Sequence, residues 1–453
     1  MASQAPPVTD DGTTSRPDPL QARITRLRRL GLRLLILAGA VVVLAALALV
    51  VVNIETNRLW FASVDAGSVY STRLRSQIVL FVLGAALAGV LGAISLAVIL
   101  RSAPAPWPRA EDDETTGWRA WVEQHPVATR RLLVLAFVVY PAYRFGTRAA
   151  GHWQAYLLWR HAQDWGTTDP TYGRDLSYYV EVYPFHRFVT NLLASALLWA
   201  IAATLVAAIV HGSLRLRGTR RRITRTLVAQ LSALGGVALL VKAGSYWLDR
   251  AGLVVSNRGP VTGASYTDVH AVGPGKIVLI VVAVLAALLL LANIRLRRGR
   301  ILVGGVALMV VASLVAGTAW TALVQHLRET PSAATLSLPQ IERNQKATTA
   351  AFGLGDVTVK EQTGKGASDD VDALVASALS DTQLRVLDPN RLSPTFNVKQ
   401  QLQAYYGFKS TLDVDRYRVG GKLRDVAIGV RELHANNVSR STWATQHLVY
   451  THG

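Results

Sequence analysis

Apolar residues in this chain gather into long unbroken runs rather than alternating with polar ones. Leu34–Val52 (LLILAGAVVVLAALALVVV) is 19 residues without a charge. At about 1.5 Å rise per residue, a run of that length matches a hydrocarbon layer roughly 30 Å thick. Comparable runs occupy Ile78–Leu100, Val189–Val210, Thr226–Leu248, Ile277–Ile294 and Ile301–Val324, with Lys242 the single charge among them. A weaker run begins near Leu132 and is interrupted by Arg144 and Arg148. Uniformly apolar runs predict helices, since barrel strands alternate in polarity and lipid leaves no partner for an unpaired backbone. The pattern predicts a mainly α membrane protein, a bundle of seven transmembrane helices at about 32–54, 78–100, 131–150, 188–211, 226–248, 276–294 and 301–325. Residues 1–22 read as a disordered cytoplasmic tail, 23–326 as the transmembrane domain, and 327–453 as an α+β extracytoplasmic domain.

Charge adds an orientation. Of the 453 residues, 48 are Lys or Arg and 29 are Asp or Glu. The N-terminal segment to Arg33 has six Lys/Arg, Arg101–Arg131 five, Gly212–Arg225 (GSLRLRGTRRRITR) six and Ile294–Arg300 four. The three intervening connections hold three each, so the alternation is 21 against nine. This is the positive-inside pattern of a multi-pass plasma-membrane protein, with the N-terminus cytoplasmic and the C-terminus extracytoplasmic. The arginine clusters then face anionic lipid headgroups. Residues 327–453 carry 15 basic and 13 acidic side chains. The excess positive charge therefore belongs to the membrane half, which argues against a nucleic-acid-binding face on a folded domain. Arg28-Arg29 precedes the first run, yet that run exceeds a signal-peptide core and no small-residue cleavage site ends it, so it reads as an uncleaved helix.

The connection from Gly151 to Arg187 is crowded with Trp153, Trp159, Trp165, Tyr172, Tyr178, Tyr179 and Tyr183, residues suited to headgroup depth. In the tail, Leu338–Leu354 predicts a helix stopped at Gly353, and DVTVKEQ and RDVAIGVREL predict strands. Ser368 is a candidate N-cap followed by Asp369, Asp370 and Asp372, acids that the helix dipole explains more simply than a metal site does. LDPNRLSPTF reads as a connecting loop, and His447 and His452 as residues of an extended segment.

No GxxxxGK[ST], GxSxG or HExxH motif is present and there is no cysteine, so no catalytic, cofactor or metal site is predicted. The candidates are ionisable groups. Burying Arg144, Arg148 or Lys242 in a span costs about 2.5–3.5 kcal/mol each on insertion scales, which makes each a candidate for function. Lys242 lies close enough to its helix end to snorkel, while Arg144 is deepest. Asp175, Asp249, Tyr266 and Asp268 are the candidates in the outer connections.

LWFASVDAGSVYSTRL, GRDLSYYVEVYPFHRF, KAGSYWLDR, GASYTDVHAV, IERNQKATTAAFGL, LDPNRLSPTF and the closing WATQHLVYTHG follow one another in the chain. In that order and spacing they resemble the bacterial integral membrane proteins of uncharacterised protein family 0182. The family carries no assigned biochemical activity, so the resemblance implies architecture alone: seven helices and a large extracytoplasmic region. It also implies a longer chain, and HLVYTHG is expected to end a truncated member inside an incomplete domain. Asp65-Ala66 stands where the family usually has Gly-Tyr, and the third helix is richer in arginine than the resemblance leads one to expect. Three roles stay open: a scaffold or binding protein for envelope components or partner proteins, a transporter with a polar path near Arg144 and Lys242, and an envelope-modifying enzyme using Asp175 or Asp268.

Overall fold

The computed structural model describes residues 19–102, 117, 121–122, 124–215, 222–359, 370–380, 388–401, 403–438, 442–445 and 447. The chain divides into two compact units, residues 1–355 and 356–453. Most of the predicted tail, residues 1–18, lies outside the described residues, and the first helix, α1, already begins at Pro19 and runs to Ser63.

Among the described residues six helices are long and apolar enough to cross a membrane. They are α1, with Leu37–Ser63 as its apolar part, α2 (Gly67–Arg101), α4 (Tyr178–Val210), α5 (Arg225–Val255), α6 (Asp268–Leu296) and α7 (Gly299–Glu329). Between α2 and α4 the predicted weak helix is present as α3. It is one helical course of three consecutive pieces, Pro126–Val134, a π-helical turn at Leu135–Val139, and Tyr140–Ala150. Arg130, Arg131, Arg144 and Arg148 lower its hydropathy below that of the six. The long helices extend past their uncharged runs, as α2 does from Gly67 and α6 from Asp268.

Small residues set the packing. Helix α2 lies along α3 and α4, α4 along α5, and α5 along α6, while α7 joins α6. A Cβ on Gly84 would stand 2.6 Å from the Phe145 carbonyl oxygen, and one on Gly92 would collide with that of Phe137. Backbone-to-backbone approach of this kind substitutes dispersion for a hydrophobic drive that lipid cannot supply. Buried alanines do the same between α4, α5 and α6, among them Ala203, Ala207, Ala283 and Ala287. Leu and Val side chains meanwhile cover the outer surface, as at Leu44, Leu83, Leu198 and Leu285. Helix α1 meets α2 where Phe61 stacks on Tyr70 at 5.2 Å and the Tyr70 hydroxyl donates to the Ile54 carbonyl at 3.2 Å.

Polar side chains also tie the helices together. Buried Gln230 of α5 donates through Nε2 to the Ser95 carbonyl of α2 at 3.1 Å and to Thr204 Oγ1 of α4 at 3.0 Å. Asn293 of α6 donates to Ser232 Oγ of α5 at 2.9 Å and accepts from the Arg298 backbone N–H at 2.9 Å, holding the turn into α7. The α1–α2 turn contains Asp65 at φ 56°, a left-handed conformation. That backbone favours glycine, and aspartate is among the few other side chains that tolerate it.

Residues 327–355, placed with the tail by the sequence reading, belong to the first unit. Glu329 accepts from the Thr267 backbone N–H at 3.1 Å, and Asn344 Nδ2 donates to the Thr262 carbonyl at 2.8 Å. The predicted helix here spans Leu338–Ala351, and Gly353 follows it at φ 63°.

In the second unit, Asp413–Val419 pairs antiparallel with Lys422–Ile428, and Tyr406–Gly407 with Glu432–Leu433. Phe408 and Leu412 are buried, with Phe396 edge-on to Phe408 at 5.5 Å. Three expectations are corrected. LDPNRLSPTF is not a loop: Asp388 caps a helix over Pro389–Gln400 by accepting from the Asn390 N–H at 2.9 Å, and Pro389 takes a first-turn position where no N–H is needed. The described start of DVTVKEQ, Asp356–Val359, is not a strand, because the chain forms no ladder there. His447 stacks on Trp443 at 4.2 Å in a helical turn, not an extended segment. Ser368 and His452 lie outside the described residues, and Asp370 accepts from the N–H groups of Asp372 and Ala373 at 3.1 and 3.3 Å.

The close α2–α3 contact yields a direct test. Gly92→Ala should destabilise the purified protein by about 1–3 kcal/mol in a detergent-unfolding titration. Gly244→Ala, which meets open space, should be neutral or mildly stabilising. Equal tolerance of both would contradict the packing.

Candidate functional site

The richest polar cluster lies where the first turns of α4 and α6 meet the last turns of α5. Asp249 sits at its centre. Its Oδ1 accepts from Arg187 Nη1 of α4 at 2.5 Å and its Oδ2 from Lys276 Nζ of α6 at 2.7 Å. Arg187 also donates to Ser245 Oγ at 3.2 Å. The 242, 245, 246 and 249 positions share one face of α5 by helical spacing, and Tyr246 occupies its middle. The ammonium groups of Lys242 and Lys276 lie 4.5 and 4.9 Å from that ring, and its hydroxyl is 3.3 Å from Ser313 Oγ of α7. Four helices are thus joined through one carboxylate and one phenol. Of the predicted residues, Lys242 and Asp249 come together here. Arg187 and Lys276 escaped sequence reasoning, although each stands at the edge of an apolar run, which is the signal that marks them.

Asp268 opens α6. It is fully buried, and its Oδ2 accepts from the Ser265 N–H at 3.2 Å while its own N–H donates to Ser265 Oγ at 3.1 Å. This reciprocal pair is a capping box, and the positive end of the helix favours the carboxylate. Arg258 Nε stands 3.4 Å from Asp268 Oδ1, and buried Glu329 satisfies the next free amide, that of Thr267. Tyr266 stacks on His270 at 4.1 Å beside the cap.

Within residues 151–177, a short helix at Trp153–Arg160 leads into a loop organised by two aspartates. Asp175 accepts from the backbone N–H groups of Trp165 at 3.0 Å, Gly166 at 2.9 Å and Ser177 at 2.8 Å. These donors hold its carboxyl below the usual carboxylate range. Asp169, not singled out from the sequence, is buried and accepts from the Tyr172 N–H at 2.6 Å and the Tyr179 hydroxyl at 3.1 Å. Burial pushes the Tyr172 phenol up, against the opposing pull of Arg250, whose guanidinium lies 5.7 Å from the ring. No contact joins Asp175 to Asp268 among the described residues, so the two predicted acids serve separate turns.

Arg144 and Arg148 form a second region. Both are exposed on α3 and line a groove of about 450 Å³ with Tyr140, Thr147 and, from α4, Trp199. Among the described residues neither guanidinium has a carboxylate within 4.0 Å. No three His, Asp or Glu side chains converge in a metal-binding group among the described residues.

The Asp175 clamp predicts a pH dependence. A carboxyl held below its ordinary value contributes stability that is complete above about pH 4 and is lost as pH falls through the depressed value. Protection factors for the Trp165, Gly166 and Ser177 amides, measured by hydrogen exchange, should hold above that range and drop below it. Indifference to pH throughout the acid range would refute the clamp.

A family model described as uncharacterised protein family UPF0182 matches residues 34–453. A UPF0182 protein of Frankia casuarinae is 36% identical over 451 residues, covering 97% of this chain and 43% of that protein. Its counterpart in Thermobifida fusca is 35% identical over 434 residues, covering 95% and 42%. The one in Mycolicibacterium vanbaalenii is 35% identical over 439 residues, covering 95% and 43%. The chain therefore spans less than half the length of these relatives. No solved structure matches it. With the family model covering nearly the whole sequence, the chain belongs to the uncharacterised protein family UPF0182.

Proposed function

We propose that this protein is a multi-pass plasma-membrane scaffold, crossing the bilayer seven times, that binds envelope components or partner proteins through an α+β region outside the cell. The N-terminus is cytoplasmic, and the arginines of 212–225 and 294–300 face anionic headgroups there. Helix α3 is the seventh span: its 25 consecutive helical residues suffice for the hydrocarbon layer, and it packs along α2.

The observation that carries the scaffold reading is where the bundle's polar groups point. Asp249 pairs with both Arg187 and Lys276 at one end. Below them, the contacts between α2, α4 and α5 are made by Ala203, Ala207 and Leu227, fully buried, and by the Gln230–Thr204–Ser95 tie. A transporter needs a polar path that continues between the two ends, and Arg144, Arg148 and Lys242 lie exposed on the bundle surface instead. Asp175 and Asp268 are each occupied by backbone amides, which weighs against the enzyme reading.

The absence of cysteine makes single-cysteine labelling clean. In intact cells, an impermeant maleimide should label Thr262→Cys and leave Thr219→Cys untouched until the membrane is opened. Thr204→Cys, fully buried between the helices, should stay protected from small thiol reagents on both sides. Labelling of Thr219→Cys in intact cells would reverse the orientation. Labelling of Thr204→Cys would replace the scaffold with a path.

A further inference from the structure

We propose that the groove bearing Arg144 and Arg148 is a binding site for one anionic phospholipid, held by its phosphodiester headgroup. The inference rests on α3 being a membrane span.

Spacing sets the geometry. Arg144 and Arg148 are four residues apart on one helix face, about 6 Å along the axis, close enough for both guanidinium groups to reach one phosphate. They stand six and two residues before Ala150, the last residue of α3, which puts them about 9 and 3 Å below the helix end, at the level of headgroup and glycerol. Residues 126–150 contain no Asp or Glu, and no carboxylate of the described chain reaches either arginine. A guanidinium at that depth meets lipid phosphates, and the groove opens on the outside of the bundle, where lipid is the neighbour. Phosphodiester oxygens suit the planar fork of donors that each arginine presents.

The walls fit the rest of the molecule. Deeper along the same face, Tyr140 is about half exposed, and its ring and that of Phe137 lie 6.2 and 5.8 Å from Trp199 of α4. This aromatic strip continues from the arginines toward the middle of the hydrocarbon, where an acyl chain would run. A volume of about 450 Å³ lies within the range of small-ligand sites. A soluble anion would use the arginines and leave the strip idle.

The test uses the whole chain purified into nanodiscs of phosphatidylcholine doped with phosphatidylglycerol, with retained lipid counted by native mass spectrometry after transfer to detergent. Wild-type protein should retain phosphatidylglycerol in preference to phosphatidylcholine. Arg144→Gln/Arg148→Gln should lose that preference by about tenfold or more. Arg328→Gln/Arg343→Gln, which removes the same charge elsewhere, should keep it. Glycerol phosphate added in excess should not displace the lipid if the acyl strip contributes; full displacement would reduce the site to a headgroup-only anion site and overturn the lipid assignment. Unchanged retention in the Arg144/Arg148 variant would overturn it as well. Leu135→Cys, read in the same discs with an impermeant maleimide, reports on the span separately. Protection without lipid loss defeats the lipid site alone, whereas labelling defeats the span and the site with it.

Discussion

Hydrocarbon offers no partner to a charge or a hydrogen-bonding group, and six helices of the first unit are long and apolar enough to come under that constraint. Its sharpest expression is Asp249. A lone carboxylate near the end of a span is expensive; here two cations from two other helices close on its two oxygens. Removing Asp249 would leave both cations partly buried without that partner. The arrangement therefore fixes which helices are neighbours and at what height they meet. Tyr246, reached by Lys242 and Lys276 and touching Ser313, extends the same junction to α7.

The same requirement governs the connections. Asp268 and Ser265 close the start of α6, Glu329 closes the next amide, and Asp169 and Asp175 gather the loop ahead of α4. Acids that look catalytic in a sequence are here engaged as acceptors for backbone N–H groups. Glycine and alanine do the complementary work in the middle of the bundle, where Gly92 brings α2 against the backbone of α3 and Ala283 and Ala287 lie fully buried on α6. The family relationship gives no chemistry to set against this reading, and the relatives' greater length leaves their whole-protein activities beyond this chain.

Much of the bundle was legible because its signal is one-dimensional. An uncharged run such as Val189–Val210 can do little except form a helix of bilayer length. Helix ends were less legible: α4 starts at Tyr178, ten residues ahead of the predicted 188, because aromatic and charged residues continue the helix after hydropathy has fallen. The site was half legible. Lys242 and Asp249 lie two turns apart on one helical face and can be read together, but Arg187 lies 62 residues from Asp249, and nothing local to either announces the pairing. Proline is ambiguous in residues 388–396, since Pro389 at a first-turn position starts a helix as readily as proline ends one. Arg144 and Arg148 were visible as anomalies, yet only the packing shows that they face outward beside Trp199.

The most direct test of the central claim is a double-mutant cycle on Arg187 and Asp249. Unfolding free energies would be compared for the wild type, Arg187→Gln, Asp249→Asn and the double variant in the same detergent. If the carboxylate is the tie that joins α4 to α5, the coupling energy should be about 1–3 kcal/mol. A coupling energy indistinguishable from zero would mean that the two helices are held together by apolar contact alone, and the account built on mutual charge satisfaction would be wrong.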